Sequence, residues 1–389
     1  MTKKVEKRVP DIRFKGFTDD WEQRKLGEVL SKFDYGLNTA STNYDGQNKY
    51  LRITDIDDNS HLFLKDNLTS PSNLPINKKN YQLKKGDMVF ARTGASVGKT
   101  YKYLSEDGKV YFAGFLIRGR VKGKNDIGFV FNTTLQDSYK NFVKVMSIRS
   151  GQPGINSKEY QKHKIYVPKF NEQRELSNFI SKLDKAIALQ QKKLEQLKQF
   201  KKAMLQQIFP DKDGKLNIRF NGFNDAWEQR KLGEVVDVMS GQDYKHLDKG
   251  NIPVYGTGGY MLSVNKALSE TEDAIGIGRK GTIDKPYLLK APFWTVDTLF
   301  YSVPKKYYDL YFVNYIFQRI QWRKYDESTG VPSLSKKTIN SVSVSIPKYN
   351  EQKQIGSYLS KFDSLIALHQ RRGDHLKLLK KFLLQKMFI

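Results

Sequence analysis

The chain has 389 residues, of which 39% are hydrophobic and 13% aromatic, and it contains no cysteine. Its 67 Lys and Arg residues outnumber 41 Asp and Glu residues, which gives a formal net charge of +26. The length allows two or three domains, and the absence of cysteine excludes disulfides and thiolate metal sites. The charge predicts a polyanionic partner and favours nucleic acid over a membrane surface, although an AT-rich genome that enriches lysine would explain part of it.

The N-terminal stretch, residues 1–14, is charged and lacks the apolar core of a signal peptide. No run approaches the roughly 18 apolar residues that a membrane-spanning helix needs. We therefore expect a cytoplasmic protein that does not contact a membrane.

A tryptophan-containing stretch occurs twice. Residues 12–29 have the sequence IRFKGFTDDWEQRKLGEV, and residues 218–235 have the sequence IRFNGFNDAWEQRKLGEV, with three differences in 18 positions. Such self-similarity identifies an internal repeat. The chain is therefore built from two related halves.

The first variable segment, from about residue 30 to 169, predicts a mixed α/β domain. Strands are predicted at residues 50–53, 88–91, 110–114 and 164–167, and a short helix at 137–149. Turn signals such as Asp45-Gly46 and Asp107-Gly108 separate the strands.

Two long amphipathic helices are predicted at residues 171–209 and 350–388. Apolar residues recur at alternating steps of four and three, as in a coiled-coil seam. Asn171 and Asn350 stand where an N-cap is expected, each before a glutamate suited to the positive end of a helix. Two matched seams in one chain most simply bury each other in an antiparallel pair. The C-terminal helix is then expected to end near the N-terminal repeat, much as Phe209 leads into Ile218.

The second variable segment, from about residue 237 to 348, follows a helix stop at residues 210–214. Strands are predicted at residues 252–255, 274–277 and 342–346, and a helix at 310–320. Residues 150–156 align with residues 329–335 at the same offset as the helices. The halves are thus duplicated modules whose middles have diverged.

These elements predict a mixed α/β fold with two globular domains separated by two long antiparallel helices, as a pseudo-twofold internal repeat. The predicted boundaries are residues 1–169 for the first domain, 170–209 for the first helix, 210–348 for the linker and second domain, and 349–389 for the second helix.

A glycine-containing turn in the first half is the most enzyme-like motif. Residues 93–100, TGASVGKT, end like a phosphate-binding loop, but Thr93 stands where the first glycine is required. A strand rather than a helix is predicted to follow, so the turn would lack a helix N-terminus for the phosphate. We favour a turn between strands whose side chains contact DNA; nucleotide hydrolysis is the less favoured alternative.

The remaining candidates are basic, aromatic and hydroxyl side chains on predicted loops and strand ends, which suit contacts to bases and phosphates. For each of them an ordinary surface role is an open alternative. No histidine spacing fits a metal site, and no catalytic constellation is present. The complete set of candidate DNA contacts is Tyr50, Arg52, Arg92, Thr93, Ser96, Lys99 and Asn156 in the first half, and Tyr244, Lys245, Tyr255, Thr257, Arg279, Lys280 and Lys285 in the second.

The order of motif, variable segment and long helix, twice over, resembles the specificity subunit of type I restriction–modification systems across essentially the whole chain. The residues that carry the resemblance are Trp21 with Lys25-Leu26-Gly27-Glu28, its copy Trp227 with Lys231-Leu232-Gly233-Glu234, Arg92-Thr93-Gly94-Ala95, and the doubled Pro-x-aromatic-Asn-Glu-Gln junction before each helix.

The resemblance implies a non-catalytic subunit in which each variable segment recognises half of a bipartite site in double-stranded DNA. It also implies docking of two modification subunits, which use S-adenosylmethionine to methylate adenine. Two restriction subunits, which use ATP and Mg²⁺, would complete the complex. No cofactor is expected in this chain.

The helices are expected to set the spacing of the half-sites. A helix of about 38 residues extends roughly 57 Å, an upper limit between one and two turns of B-DNA. The alternative from another class is a basic coiled-coil scaffold that binds RNA or protein without preference for a bipartite duplex.

Overall fold

The computed structural model describes residues 8–148, 152–210, 214 and 216–389. It contains two compact units. The first comprises Met1–Gln190 and Arg372–Ile389, and the second comprises Gln191–Arg371. Each unit therefore combines one globular domain, the beginning of its own long helix and the end of the other long helix. No described helix has the length and hydropathy that crossing a bilayer requires.

The first globular domain is mixed α/β, as its sequence predicts. Its elements in chain order are β1 (Glu22–Lys25), α1 (Leu26–Val29), β2 (Leu30–Tyr35), β3 (Ser41–Asn43), β4 (Lys49–Leu51), β5 (Thr69–Pro71), β6 (Asp87–Ala91), β7 (Thr100–Lys102), β8 (Val110–Phe112), β9 (Leu116–Val121), α2 (Ile127–Thr133), α3 (Asp137–Met146), α4 (Ser157–Lys162), β10 (Lys164–Val167) and the long helix α5 (Phe170–Ile208).

The second globular domain repeats this plan with a different middle. Its elements are β11 (Glu228–Lys231), α6 (Leu232–Val235), β12 (Val236–Ser240), β13 (Lys249–Gly256), β14 (Gly259–Val264), β15 (Ala274–Gly278), β16 (Tyr287–Leu289), β17 (Trp294–Thr295), β18 (Leu299–Pro304), α7 (Leu310–Arg319), α8 (Lys336–Ser341), β19 (Ser343–Ile346) and the long helix α9 (Tyr349–Lys386).

The central sheets of the two domains correspond strand by strand. The central sheet has the order β2-β9-β6-β7 in the first domain and β12-β18-β15-β16 in the second, with antiparallel pairing throughout. A parallel pair, β4 with β8 or β13 with β17, accompanies each sheet. The repeated motif forms a two-stranded sheet with the strand before the long helix, β1 with β10 and β11 with β19.

Most predicted elements are confirmed, with differences at their ends. The predicted strand at 50–53 ends at Leu51, because Arg52 bonds to Asp55 and starts a 3₁₀ turn over Ile53–Asp55. The predicted helix at 137–149 ends at Met146, and residue 149 lies outside the described residues, as do 150, 151 and most of the 210–214 linker.

The long helices begin two residues earlier than the asparagine caps predict. The backbone N–H groups of Glu172 and Gln173 donate to the carbonyl of Lys169, so α5 starts at Phe170 and Asn171 lies in its first turn. The predicted cap is therefore wrong by two positions, and the same holds for Asn350 in α9, which starts at Tyr349. Proline two residues before each start restricts the backbone ahead of the helix.

The seam residues are most deeply buried where the helices meet a globular domain. Leu176 and Ile180 near the start of α5 are buried, as is Met387 just beyond the end of α9. In the first unit the helices run antiparallel, because Asp184 pairs with Lys380 at 2.6 Å while Gly373 lies beside Gln190. The predicted antiparallel packing is confirmed within this unit.

Candidate nucleic-acid interface

The Arg92 turn connects β6 to β7 at one end of the central sheet of the first unit. Gly94 adopts a positive φ of 73° and begins a 3₁₀ turn over Gly94–Ser96. The Arg92 guanidinium carbon lies 4.8 Å from the centroid of the Tyr35 ring, at the end of β2. Stacking on an aromatic face orients a guanidinium while leaving its N–H edge available for ligands.

A loop from the end of the variable segment holds this turn. Gly94 N–H donates to the carbonyl of Pro153 at 3.0 Å, and Ile155 N–H donates to the carbonyl of Arg92 at 2.9 Å. Asn156, next in the chain, caps α4 by accepting from Glu159 N–H at 3.0 Å. Residues 153–156, in the segment that aligns between the two halves of the sequence, thus support the Arg92 turn.

Two buried tyrosines also hold the Arg92 turn through hydrogen bonds to its backbone. Tyr160 accepts a hydrogen bond from Gly98 N–H at 3.1 Å, and its hydroxyl donates to the carbonyl of Ala91 at 2.6 Å. Tyr139 donates to the carbonyl of Gly98 at 3.0 Å. Burial raises the pKa of Tyr139 far above its usual range, so this donor stays protonated.

The second unit builds the same turn from different residues. Gly281 N–H donates to the carbonyl of Pro332 at 2.8 Å, and Leu334 N–H donates to the carbonyl of Arg279 at 2.9 Å. The Arg279 guanidinium carbon lies 5.8 Å from the centroid of the Phe300 ring. Arg279 and Arg92 therefore occupy equivalent positions in the two repeats, and we call each of the two turns an arginine turn.

A third loop meets the arginine turn in each unit. Arg92 N–H donates to the carbonyl of Phe115 at 3.0 Å, and Arg279 N–H donates to the carbonyl of Thr298 at 2.8 Å. The parallel strand ends beside the same loop, since Val296 N–H donates to the carbonyl of Tyr255 at 3.0 Å. Four chain segments distant in sequence thus converge at one end of each sheet.

The structure brings part of the predicted set to this end. Arg92, Thr93 and Ser96 lie on the first turn and Asn156 on its supporting loop. Arg279 and Lys280 lie exposed on the second turn. Tyr255 lies at the end of β13, half-buried between the rings of Tyr260 and Tyr287, and Thr257 lies in the following hairpin turn.

Three predicted residues are committed to contacts within the first domain. Tyr50 is a core residue, 2% exposed, whose hydroxyl donates to the carbonyl of Leu37 at 2.7 Å. Arg52 forms a bidentate ion pair with Asp55, with N–O distances of 2.7 and 2.9 Å. Lys99 bonds to the carbonyl of Ile56 at 3.0 Å and pairs with Asp58, leaving 12% of its side chain exposed. Each of the three side chains is thus held by contacts within the domain.

The other predicted residues lie elsewhere in the second domain. Lys245 is exposed after Asp243, whose carboxylate accepts from its backbone N–H at 3.4 Å, and Tyr244 packs partly against the core beside it. Lys285 is exposed and follows Asp284. The structure does not bring these three to the arginine turn through any described contact.

Two residues at the interface carried no sequence signal. Tyr35 stacks with Arg92 and accepts a hydrogen bond from Ser157 N–H at 3.3 Å, and its side-chain hydrogen bond with Ser157 lowers the pKa of Tyr35. Phe115 is 59% exposed beside the turn. Neither belongs to a motif, and only the meeting of the loops reveals them.

The nucleotide-hydrolysis alternative does not fit this geometry. The segment after Lys99 is the strand β7, so no helix N-terminus follows the glycines to bind a phosphate. The described residues contain no group of His, Asp and Glu side chains with the arrangement of a metal site.

Comparison with known proteins identifies the family. The family model of the type I restriction modification DNA specificity domain matches residues 18–199 and again residues 224–378. The chain belongs to this family. The two matches coincide with the two repeats, and the scaffold alternative is not favoured.

Relatives of the specificity family resemble this chain over nearly its full length. The specificity subunit of the type I restriction enzyme MjaVIII from Methanocaldococcus jannaschii is 22% identical over 405 residues, covering 93% of this chain and 91% of that protein.

Solved structures share the fold. The S subunit of a type I restriction–modification system from M. genitalium superposes with a TM-score of 0.70 at 16% identity, covering 98% of this chain and 99% of that one. A chain from a structure of type I restriction–modification complex assembly and conformational transition gives a TM-score of 0.53 at 15% identity, covering 94% of this chain and 96% of that one. The predicted fold class is confirmed.

Proposed function

We propose that each globular domain recognises one half of an asymmetric bipartite site in double-stranded DNA, and that the arginine turn is the centre of each recognition surface. The observation that supports this is a shared backbone frame with different side chains. The frame hydrogen bonds of Arg92 recur at Arg279, yet Thr93 is replaced by Lys280 and Tyr35 by Ser240. Equal frames with unequal contacts suit two different half-sites.

The chemistry of the arginine turn suits DNA. A guanidinium binds phosphate or the O6 and N7 atoms of guanine through two parallel hydrogen bonds, and a base contact of this kind contributes about 1–3 kcal/mol of discrimination. The positive charge of the whole chain, +26, adds an attraction to the DNA backbone that does not depend on sequence.

The long helices are proposed to set the distance between half-sites and to dock the methyltransferase subunits. At about 1.5 Å per residue, the 39 residues of α5 extend roughly 58 Å. Large apolar side chains remain exposed along both helices in the described chain, including Leu189 on α5 and Leu378 on α9. Exposed apolar side chains that are neighbours on a helix, such as Leu378, Leu379 and Phe382 on α9, are typical of a surface that binds another protein.

Catalysis is assigned to the partners. We propose that two modification subunits with S-adenosylmethionine methylate adenine, and that two restriction subunits use ATP and Mg²⁺. This chain would hold no cofactor and would supply recognition only.

Single-arginine variants test the assignment of the two half-sites. In the complex assembled with its modification subunits, Arg92→Ala is expected to relax specificity in one half-site and Arg279→Ala in the other, each by about 1–3 kcal/mol at the affected base. Genome-wide mapping of methylated adenines measures this. Arg24→Ala, an exposed arginine paired with Glu22 on β1, is the matched control. Loss of specificity in both halves with either variant would contradict the modular proposal.

Removing one heptad from both helices tests the spacer. The preferred distance between half-sites should shorten, or binding should be lost, whereas an unchanged spacer in the methylation map would rule out the proposed role of helix length.

A further inference from the structure

A cleft of about 810 Å³ opens beside the arginine turn of the second unit. It is lined by Arg279 and Lys280 of the turn and by residues of the segment 327–336. Phe300 also lines it and supports the guanidinium of Arg279 from 5.8 Å. The cleft therefore combines an apolar surface with a cationic rim.

The charges around the cleft favour an anion. Arg279, Lys280 and Lys336 are all exposed lining residues, against a single carboxylate, Glu327, among the residues lining this cleft. Glu327 already accepts hydrogen bonds from the hydroxyl of Ser335, at 2.8 Å, and from the hydroxyl of Thr338 on α8. The cations have no such engagement through side-chain ion pairs in the described structure.

The loop that forms the other part of the lining is fixed before any ligand binds. Asp326 accepts hydrogen bonds from the backbone N–H groups of Ser328, at 3.0 Å, and Ser333, at 2.9 Å. The second of these bonds lowers the pKa of Asp326, so its carboxylate stays ionised and keeps the loop closed on itself. A site that is ordered in advance loses less entropy when it binds.

The equivalent space in the first unit is occupied by a side chain. Tyr35 and Ser240 are the last residues of β2 and β12, paired with Ile117 and Phe300 respectively. The Tyr35 ring lies against Arg92, and its hydroxyl reaches Ser157 N–H on the supporting loop at 3.3 Å. Ser240 is too short to cross in this way, which leaves the second cleft open.

The repeats also differ in the two lysines. Lys280 follows Arg279 as Thr93 follows Arg92, and Lys336 is the first residue of α8 as Ser157 is of α4. The open cleft thus gained two cations at positions where the other repeat has hydroxyl side chains.

We propose that this cleft binds a segment of the sugar–phosphate backbone of DNA, an inference that rests on the proposed function of the chain. Lys280 and Lys336 suit phosphate groups, since lysines neutralise backbone charge and release counterions. The volume exceeds what one phosphate fills and lies in the range of sites for larger ligands. The second domain then supplies phosphate contacts that the first domain does not make at its equivalent place.

The salt dependence of DNA binding tests the proposal with the full chain and a long duplex of mixed sequence. The double variant Lys280→Thr, Lys336→Ser installs the residues of the first repeat. A plot of log affinity against log salt concentration has a negative slope. The magnitude of this slope is expected to decrease by about 2, close to one for each lysine removed. Ser240→Tyr should also decrease the magnitude of the slope, without changing the charge of the protein, because the ring fills the cleft.

Lys306→Ser is the control for the loss of a lysine charge outside the cleft. Lys306 is exposed and follows β18 at the end opposite to Phe300, so its loss should leave the slope nearly unchanged. Equal slopes for the double-lysine variant and the Lys306 variant, or an unchanged slope for both cleft variants, would overturn the cleft assignment. If the unmodified chain bound no duplex at all, the proposed function itself would fail.

Discussion

Trp21 and Phe388, near opposite ends of the chain, pack edge to face with ring centroids 6.4 Å apart. Phe129 of α2 completes the cluster by stacking on Phe388 at 5.4 Å. The backbone follows the same path, since Ile12 N–H donates to the carbonyl of Lys386 at 2.9 Å. The end of the second long helix is therefore part of the first unit.

The second unit repeats this cluster with Trp227, Phe209 and Phe312. Trp227 and Phe209 pack edge to face at 5.8 Å, and Phe209 stacks on Phe312 at 5.3 Å. Each tryptophan motif thus receives the end of the long helix that belongs to the other repeat. The motif is repeated because the same aromatic contact has to be made twice.

Truncating this contact should destabilise the first unit. Phe388→Ala removes a buried ring that is 4% exposed, and such substitutions cost about 3–5 kcal/mol. Hydrogen exchange should rise mainly in the first unit. Phe382→Ala, near the end of α9 and 48% exposed, is the control and should change exchange little. Equal effects of the two variants would contradict the packing role of Phe388.

A buried carboxylate organises each repeat but has different partners. Glu172 accepts from Arg13 at 2.7 and 2.8 Å and from the indole N–H of Trp21 at 3.3 Å. Glu351 accepts from Arg219 at 2.8 and 2.7 Å, while the indole N–H of Trp227 has no described partner. These ion pairs raise the pKa of Arg13 and of Arg219 through their hydrogen bonds.

Replacing the two glutamates should therefore have unequal effects. Breaking a buried ion pair costs about 3–5 kcal/mol, and Glu172→Leu additionally leaves the indole N–H of Trp21 without an acceptor, worth about 1–3 kcal/mol. Glu351→Leu lacks that second loss. Denaturant unfolding of the two variants measures the difference, and a larger loss for Glu351→Leu would contradict the assignment.

His163 should make the stability of the first unit depend on pH. It is 6% exposed against the rings of Tyr139 and Phe142, and burial lowers its pKa from 6.5 to about 4. The unfolded chain then binds more protons between these values. Stability is fully present above about pH 6.5 and falls as the pH drops towards 4, by up to about 3 kcal/mol.

The second repeat supplies the variant that tests this. Val342 occupies the equivalent position, since its carbonyl accepts from Leu232 N–H as that of His163 accepts from Leu26 N–H. His163→Val should flatten the pH dependence of the unfolding midpoint between pH 7 and 5. His375→Gln, at an exposed position of α9, is the control. An unchanged pH dependence in His163→Val would exclude this histidine as the cause.

Gly98 should be essential for the shape of the Arg92 turn. Its φ is +85°, and an added Cβ would lie 2.5 and 2.6 Å from the methyl groups of Val143. Gly98→Ala combines backbone strain with overpacking, which costs about 1–3 kcal/mol. We expect weaker DNA binding, measured by gel shift. Gly46→Ala has a similar φ of +83° with no atom nearby, so it isolates the backbone contribution and should bind normally.

Local sequence patterns predicted most of the framework because local forces decide it. The alternation in Lys164–Val167 and the apolar periodicity of α5 each specify one element without reference to the rest. The helix caps were misplaced by two residues, because the carbonyl of Lys169, and not that of Asn171, accepts the first helical hydrogen bonds. A capping preference alone does not contain that information.

The candidate site was predicted less completely, because exposure depends on contacts between distant segments. Tyr50 and Tyr35 are both tyrosines on strands near basic residues. Tyr50 is buried, and its hydroxyl donates a hydrogen bond to the carbonyl of Leu37. Tyr35 is exposed, because it lies at the end of a strand. The arginine turns were found, since glycine and arginine at a strand end are visible in the sequence. Their support by residues more than fifty positions away was not.

The sequence by itself determined the duplication, the two long helices and the return of the C-terminus to the first tryptophan motif, because repeated patterns and periodicity are properties of the chain alone. Only the tertiary structure decided which basic residues face outwards and which of two equivalent turns carries an open cleft. Whether a tyrosine or a serine ends the neighbouring strand matters only once Arg92 or Arg279 lies beside it, and long-range hydrogen bonds bring them there.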